Sequence, residues 1–162
     1  MIYILTKEER KIIIEKKFKI LEIKNILKEF NKNIKGIEII KVLEEKEIKK
    51  INEIYSEYIK TYNNNSKINT IKNKINYKTS ESEICKKIIE NINIKNNNEY
   101  FLYCQNKVWI KIKILDSYNS IKFLFNHQNH QFLLMETNMK KIIEFGLDSR
   151  DEYNFIIDIW NT

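Results

Sequence analysis

The sequence predicts an α+β domain: three N-terminal helices packed on a mainly antiparallel C-terminal sheet in the order β-β-α-β-β-β. Three observations carry that prediction. Apolar residues recur at helical spacing through most of residues 1–95 and alternate as in strands from residue 99 onward. The polar run Lys95–Glu99 (KNNNE) marks the change of pattern. The later apolar runs are joined by short polar turns, which favours antiparallel neighbours with the helices on one face. A chain of 162 residues with 43% hydrophobic content can bury a sizeable core. Residues 1–162 are therefore expected to form a single domain, with a helical, basic portion (1–95) and a sheet portion (99–162).

Thr6 and Glu9 form a capping box that opens the first helix, Lys7 to about Asn31. Ile13, Ile20, Ile23, Leu27 and Phe30 share one side of it, with Ile14, Phe18 and Leu21 beside them. Gly36 is expected as the residue just past its end, where a positive φ is often needed. Ile37–Leu43 is apolar and β-branched and reads as a strand or as a link into the next helix, with the strand favoured. Ile48, Ile51, Tyr55, Tyr58 and Tyr62 then give an amphipathic helix from Glu45 to Asn63. At that spacing the tyrosines read as core and half-buried rim in preference to a stacking platform. Ser66–Thr79 scatters Ile68, Ile71, Ile75 and Tyr77 among Asn and Lys, and predicts a long connection. Its lysines (Lys67, Lys72, Lys74, Lys78) suit a solvated loop better than a phosphate site.

Ser80 followed by Glu83 opens a third helix reaching about Ile94. Tyr100–Cys104 is the next strand, and Gln105-Asn106-Lys107 a tight turn. The strand after it alternates Val108, Ile110, Ile112 and Ile114 against Trp109, Lys111 and Lys113. Asp116 or Ser117 caps a short helix carrying Tyr118, Ile121, Leu124 and Phe125. Strands follow at Gln131–Glu136, Met139–Phe145 and Tyr153–Trp160. The last is apolar on both sides, which suggests a covered strand.

The composition lacks Pro and Ala and has two Gly, while Ile, Lys and Asn dominate. These are the residues of AT-rich codons, so a bacterial AT-rich genome explains much of the lysine. The formal net charge of +7 is unevenly spread: residues 99–162 hold seven basic and eight acidic side chains, against 22 and 14 before them. Cys85 and Cys104 supply no disulfide framework and are expected as buried free thiols in a reducing compartment. No signal peptide follows Met1 and no apolar run approaches a membrane span, so a cytoplasmic protein with no membrane partner is expected.

Catalytic signatures are missing. With two glycines the chain has neither a nucleophile elbow nor a phosphate-cradling loop. Adjacent carboxylates such as Asp151 and Glu152 would point apart on a strand edge. His127 and His130 form H-x-x-H, but a zinc site needs further ligands, and they read as turn residues. No enzyme activity, cofactor or metal is expected. Nucleic-acid binding by the basic N-terminal helices is the alternative; Lys interleaved with Glu and only two Arg (Arg10 and Arg150) weigh against it.

Lys140–Trp160 stands out. Its loop Gly146–Glu152 is acidic by composition, and Glu144, Asp148, Arg150, Asp151, Glu152 and Asp158 are expected to share a surface with Tyr153 and Trp160, the large anchors that interface hot spots favour. Size, the helices-then-meander layout, the missing catalytic signature and this acidic hairpin together resemble small bacterial immunity proteins of polymorphic-toxin and contact-dependent growth-inhibition systems. The resemblance implies a cytoplasmic inhibitor that binds a cognate toxin domain, often a nuclease, and occludes its active site. The net positive charge departs from the acidic character common among nuclease inhibitors, which leaves the toxin's chemistry open.

Overall fold

The computed structural model describes residues 6–33, 36–63, 68–104, 108–148 and 153–161. Its elements are α1 (Lys7–Asn33), β1 (Ile37–Val42), α2 (Glu45–Asn63), β2 (Ile68–Asn76), α3 (Glu81–Ile92), β3 (Glu99–Cys104), β4 (Val108–Ile114), α4 (Ser117–His127), β5 (Phe132–Glu136), β6 (Lys141–Leu147) and β7 (Asn154–Asn161). The chain divides into two compact units, Met1–Ile34 and Lys35–Thr162.

The first unit contributes α1. Its expected capping box is complete: the Thr6 N–H donates to Glu9 Oε2 at 2.7 Å, and the Glu9 N–H donates to Thr6 Oγ1 at 3.2 Å. Those bonds hold the Glu9 carboxyl below the usual carboxylate range.

The second unit is built on a seven-stranded antiparallel sheet in the order β1-β4-β3-β5-β6-β7-β2. The α+β class is as expected, with four helices among the described residues. Two features differ from the sequence reading. First, strands are interleaved with the early helices. Ile37–Val42 is the edge strand β1, paired with β4. The stretch read as a connection is β2, which adds outside β7. Second, helices cover both faces of the sheet. α2 lays Ile48, Ile51 and Tyr58 against Phe101, Trp109, Leu133, Met135, Ile142 and Trp160. α3 and α4 pack together on the opposite face, where Phe125 meets Phe145 and Phe155 at 5.9 and 5.7 Å between ring centroids. The physical reason lies in the strands: β7 is buried at every position from Phe155 to Trp160, so each face needs a cover.

The local capping chemistry of the later helices follows the sequence. Ser80 accepts from the Glu83 N–H, and Asp116 accepts from the Asn119 N–H at 2.7 Å. Cys85 and Cys104 are free and buried, and burial pushes the Cys85 thiol up to about 11. Gly36 does not take a positive φ. Its role is close approach: its carbonyl accepts from the Leu115 N–H at 2.7 Å, and a Cβ there would meet the Ser120 backbone nitrogen at 2.5 Å. Left-handed positions fall instead to Asn93, Asn97 and Asn129, which tolerate αL better than most residues, and to His130 and Met139.

Candidate functional site

The structure splits the expected contact surface between two faces of the sheet. In antiparallel register Glu144 lies opposite Asp158, and Ile142 opposite Trp160. All four side chains therefore project toward α2. Asp158 and Trp160 are 5% and 4% exposed, so they belong to the interior and not to an outer hairpin surface. The Tyr58 hydroxyl, from α2, donates to Glu144 Oε2 at 2.7 Å, and its ring lies 5.6 Å from Trp160. Tyr55 extends the aromatic row to Tyr103 and Trp109, whose Nε1–H donates to Asn52 Oδ1 at 3.2 Å.

The electrostatics of this cluster follow from burial. Desolvation pushes the Glu144 carboxyl above the usual carboxylate range; the Tyr58 hydrogen bond pulls it back, and Asp158 raises it further. The Tyr58 hydroxyl is held protonated, chiefly by burial and then by Glu144. Tyr55 is pushed up to about 12, again mainly by burial. The tyrosines of α2 are thus core and rim, as expected for Tyr55 and Tyr58; the Tyr62 side chain lies outside the described residues. Two carboxylates and a phenol in a buried aromatic setting can share and hold protons, but α2 lies over them.

The other residues of the expected surface sit at the end of the β6–β7 ladder. Asp148 is 5% exposed, its N–H donates to the Asn154 carbonyl, and Lys74 Nζ lies 3.5 Å from its carboxylate. Arg150, Asp151 and Glu152 lie outside the described residues. Tyr153 is 60% exposed and stacks on Tyr77, itself 42% exposed, with centroids 6.2 Å apart and planes 19° from parallel. The Tyr77 N–H donates to the Tyr153 carbonyl at 3.0 Å, so the end of β2 fixes the pair.

Beside this pair opens a groove of about 500 Å³ on the α3–α4 side of the sheet. Ile84, Phe125 and Phe155 form its buried floor; Tyr77, His130 and Leu147 stand exposed at its rim, with Thr79 and Glu81 between. His130 has φ 62°, directly after Asn129 at φ 52°. Two successive residues thus take the left-handed region, which Asn and His enter more readily than most side chains. Its Nδ1 lies 3.0 Å from the Phe125 carbonyl, and a protonated Nδ1 donating there leaves Nε2 as an acceptor. His127 does not sit in a loop: it ends α4 and stacks on Phe123 at 5.0 Å. Among the described residues no group of three or more His, Cys, Asp or Glu side chains could hold a metal ion, and no helix is long and apolar enough to cross a membrane.

Tyr77, His130 and the groove floor were not legible as neighbours of Tyr153. They come from the turn after β2, the α4–β5 turn, α3, α4 and β7, and the tertiary fold alone joins them. The single sequence signal was negative: an exposed tyrosine pair cannot be told from core by spacing alone. No family model, curated protein or solved structure matches the chain.

Proposed function

We propose that this protein is a non-enzymatic, cytoplasmic inhibitor of the immunity type, which binds a cognate bacterial toxin domain and occludes its active site. The observation that supports this reading best is the exposed Tyr77–Tyr153 stack beside an apolar-floored groove. Large aromatic side chains held rigidly at the rim of a concave, water-accessible floor are the usual anchors of a protein interface. The backbone bond between the two residues and the contact of their rings already orient the stack, which lowers the conformational entropy lost on binding. Leu147, 52% exposed at the same rim, adds apolar contact area.

The contact surface proposed here is narrower than the one expected from sequence. It centres on Tyr77, Leu147 and Tyr153, with Glu144, Asp158 and Trp160 acting from inside as support for the sheet that carries them. Nucleic-acid binding through the N-terminal helices has only the lysine content behind it. α1 exposes isoleucine, leucine and phenylalanine beside its cations, a surface better suited to protein than to phosphate.

The test is genetic and then physical. The neighbouring reading frame should encode a secreted toxin, and co-expression of the present protein should restore growth to cells making that toxin domain. Tyr77→Ala/Tyr153→Ala should lose the protection while staying folded. A neighbour unrelated to toxins, or full protection by the double variant, would overturn the reading.

A further inference from the structure

We propose that α1 is a docking helix for an acidic, helical segment of a partner protein, an inference that does not rest on the proposed function. The helix carries a seven-residue repeat of cations. Arg10, Lys17 and Lys24 recur every seventh residue of α1. Seven residues make nearly two turns, so the three cations form one column along the helix, about 21 Å long at about 1.5 Å per residue.

That column is flanked by apolar side chains. Ile13 lies three residues after Arg10 and four before Lys17, and Ile14 lies four after and three before; Ile20 and Leu21 repeat the relation between Lys17 and Lys24. Residues three and four apart are neighbours on a helix surface, so the cations run between two apolar rows. Ile13, Ile14, Ile20 and Leu21 are 38%, 52%, 55% and 55% exposed. The three cations are exposed as well, and none has an ion-pair partner among the described residues. An apolar, basic, apolar stripe on one face is a surface without its complement.

Charge selects the occupant. A second copy placed face to face would set cation column against cation column, which repels. The acidic column of the helix (Glu8, Glu15, Glu22, Glu29) offers another copy a poorer match: exposed Ile12 and Phe18 flank Glu15, but so do Lys11 and Lys19, which would repel the incoming cations. A lipid surface fits poorly: an interfacial helix keeps its cations on the polar face, whereas here they stand in the middle of the apolar one. A helix with carboxylates at seven-residue spacing between apolar side chains meets every requirement, since the carboxylates fall on the cations while the apolar rows pack. The pairing would also steer the encounter.

The test uses the full chain and a synthetic helical peptide carrying Glu at three successive seventh positions between Ile and Leu. Matched peptides carry Gln or Lys at those positions. Fluorescence anisotropy should show the Glu peptide binding at least about tenfold more tightly than the Gln or Lys peptides. Arg10→Glu/Lys17→Glu/Lys24→Glu should reverse the order, losing the Glu peptide and gaining the Lys peptide. Circular dichroism checks that the triple variant keeps its helix; if it does not, Arg10→Gln/Lys17→Gln/Lys24→Gln should abolish the preference and its salt dependence. Equal binding of the three peptides, or no binding of the Glu peptide, overturns the proposal. So does concentration-dependent self-association abolished by the triple variant, or vesicle binding (phosphatidylserine in phosphatidylcholine) with no discrimination among peptides.

Discussion

Glu144 and Asp158 face each other across β6 and β7, and Tyr58 donates a 2.7 Å hydrogen bond to the first of them. Like charges directly opposite on a sheet oppose pairing, and burial makes the opposition stronger. The sheet tolerates them because Glu144 holds a proton more tightly than an ordinary carboxyl and Tyr58 supplies a donor.

Glu144→Gln is expected to stabilise the protein at neutral pH. The folded carboxyl titrates above its usual value of 4.5. Its contribution is therefore fully present below the unfolded value and is lost as pH rises through the folded one. Wild type and variant should converge in stability in acid and separate as pH rises through the folded carboxyl's raised value. Denaturant unfolding across that range measures it, and a variant less stable than wild type at pH 7 would contradict the assignment.

Tyr58→Phe removes the donor and leaves a buried carboxylate short of a partner. A loss of about 1–3 kcal/mol is expected, larger at pH 8 than at pH 4, where Glu144 is neutral. The same denaturation series reads it, and a loss independent of pH would assign the effect to packing alone.

Gly36→Ala and Gly146→Ala should differ sharply. At Gly36 a Cβ would meet backbone, 2.5 Å from the Ser120 nitrogen and 2.9 Å from the Asn119 carbonyl carbon. At Gly146 its nearest neighbour is the Gln131 side chain, at 3.3 Å. The first substitution should cost about 1–3 kcal/mol through overpacking, and the second less than about 0.5 kcal/mol. Thermal melts of the two variants compare them directly; equal melting temperatures would contradict the close approach of Gly36 to α4.

Much of the fold was legible, and what was not has a physical cause. β3 to β7 showed because each alternates or runs apolar between polar turns, and α2 because Ile48, Ile51, Tyr55 and Tyr58 keep helical spacing. β2 was missed because its isoleucines, Ile68, Ile71 and Ile75, do not alternate; its register with β7 shifts between Ile71 and Ile75. An edge strand with lysine and asparagine on it resembles a loop, which is one way sheets protect their edges. The covering of both sheet faces was hinted at only by β7. That same feature undid the surface reading of Glu144, Asp158 and Trp160: charge in a strand suggests exposure, and nothing in the sequence reveals that α2 roofs it. Tyr153, expected at the start of the last strand, is exposed just before β7, and its partner Tyr77 lies 76 positions earlier and is brought there by the end of β2.

The central claim is that the Tyr77–Tyr153 stack anchors a partner toxin domain. Calorimetric titration of wild type and Tyr77→Ala/Tyr153→Ala with the toxin domain that the proposed function expects in the neighbouring reading frame tests it most directly. Both tyrosines are exposed, so the double variant should keep its stability within about 1 kcal/mol. Its Kd should rise at least about thirtyfold, the equivalent of roughly 2 kcal/mol at an interface hot spot. An unchanged Kd, or no complex with the wild-type protein, would contradict the account.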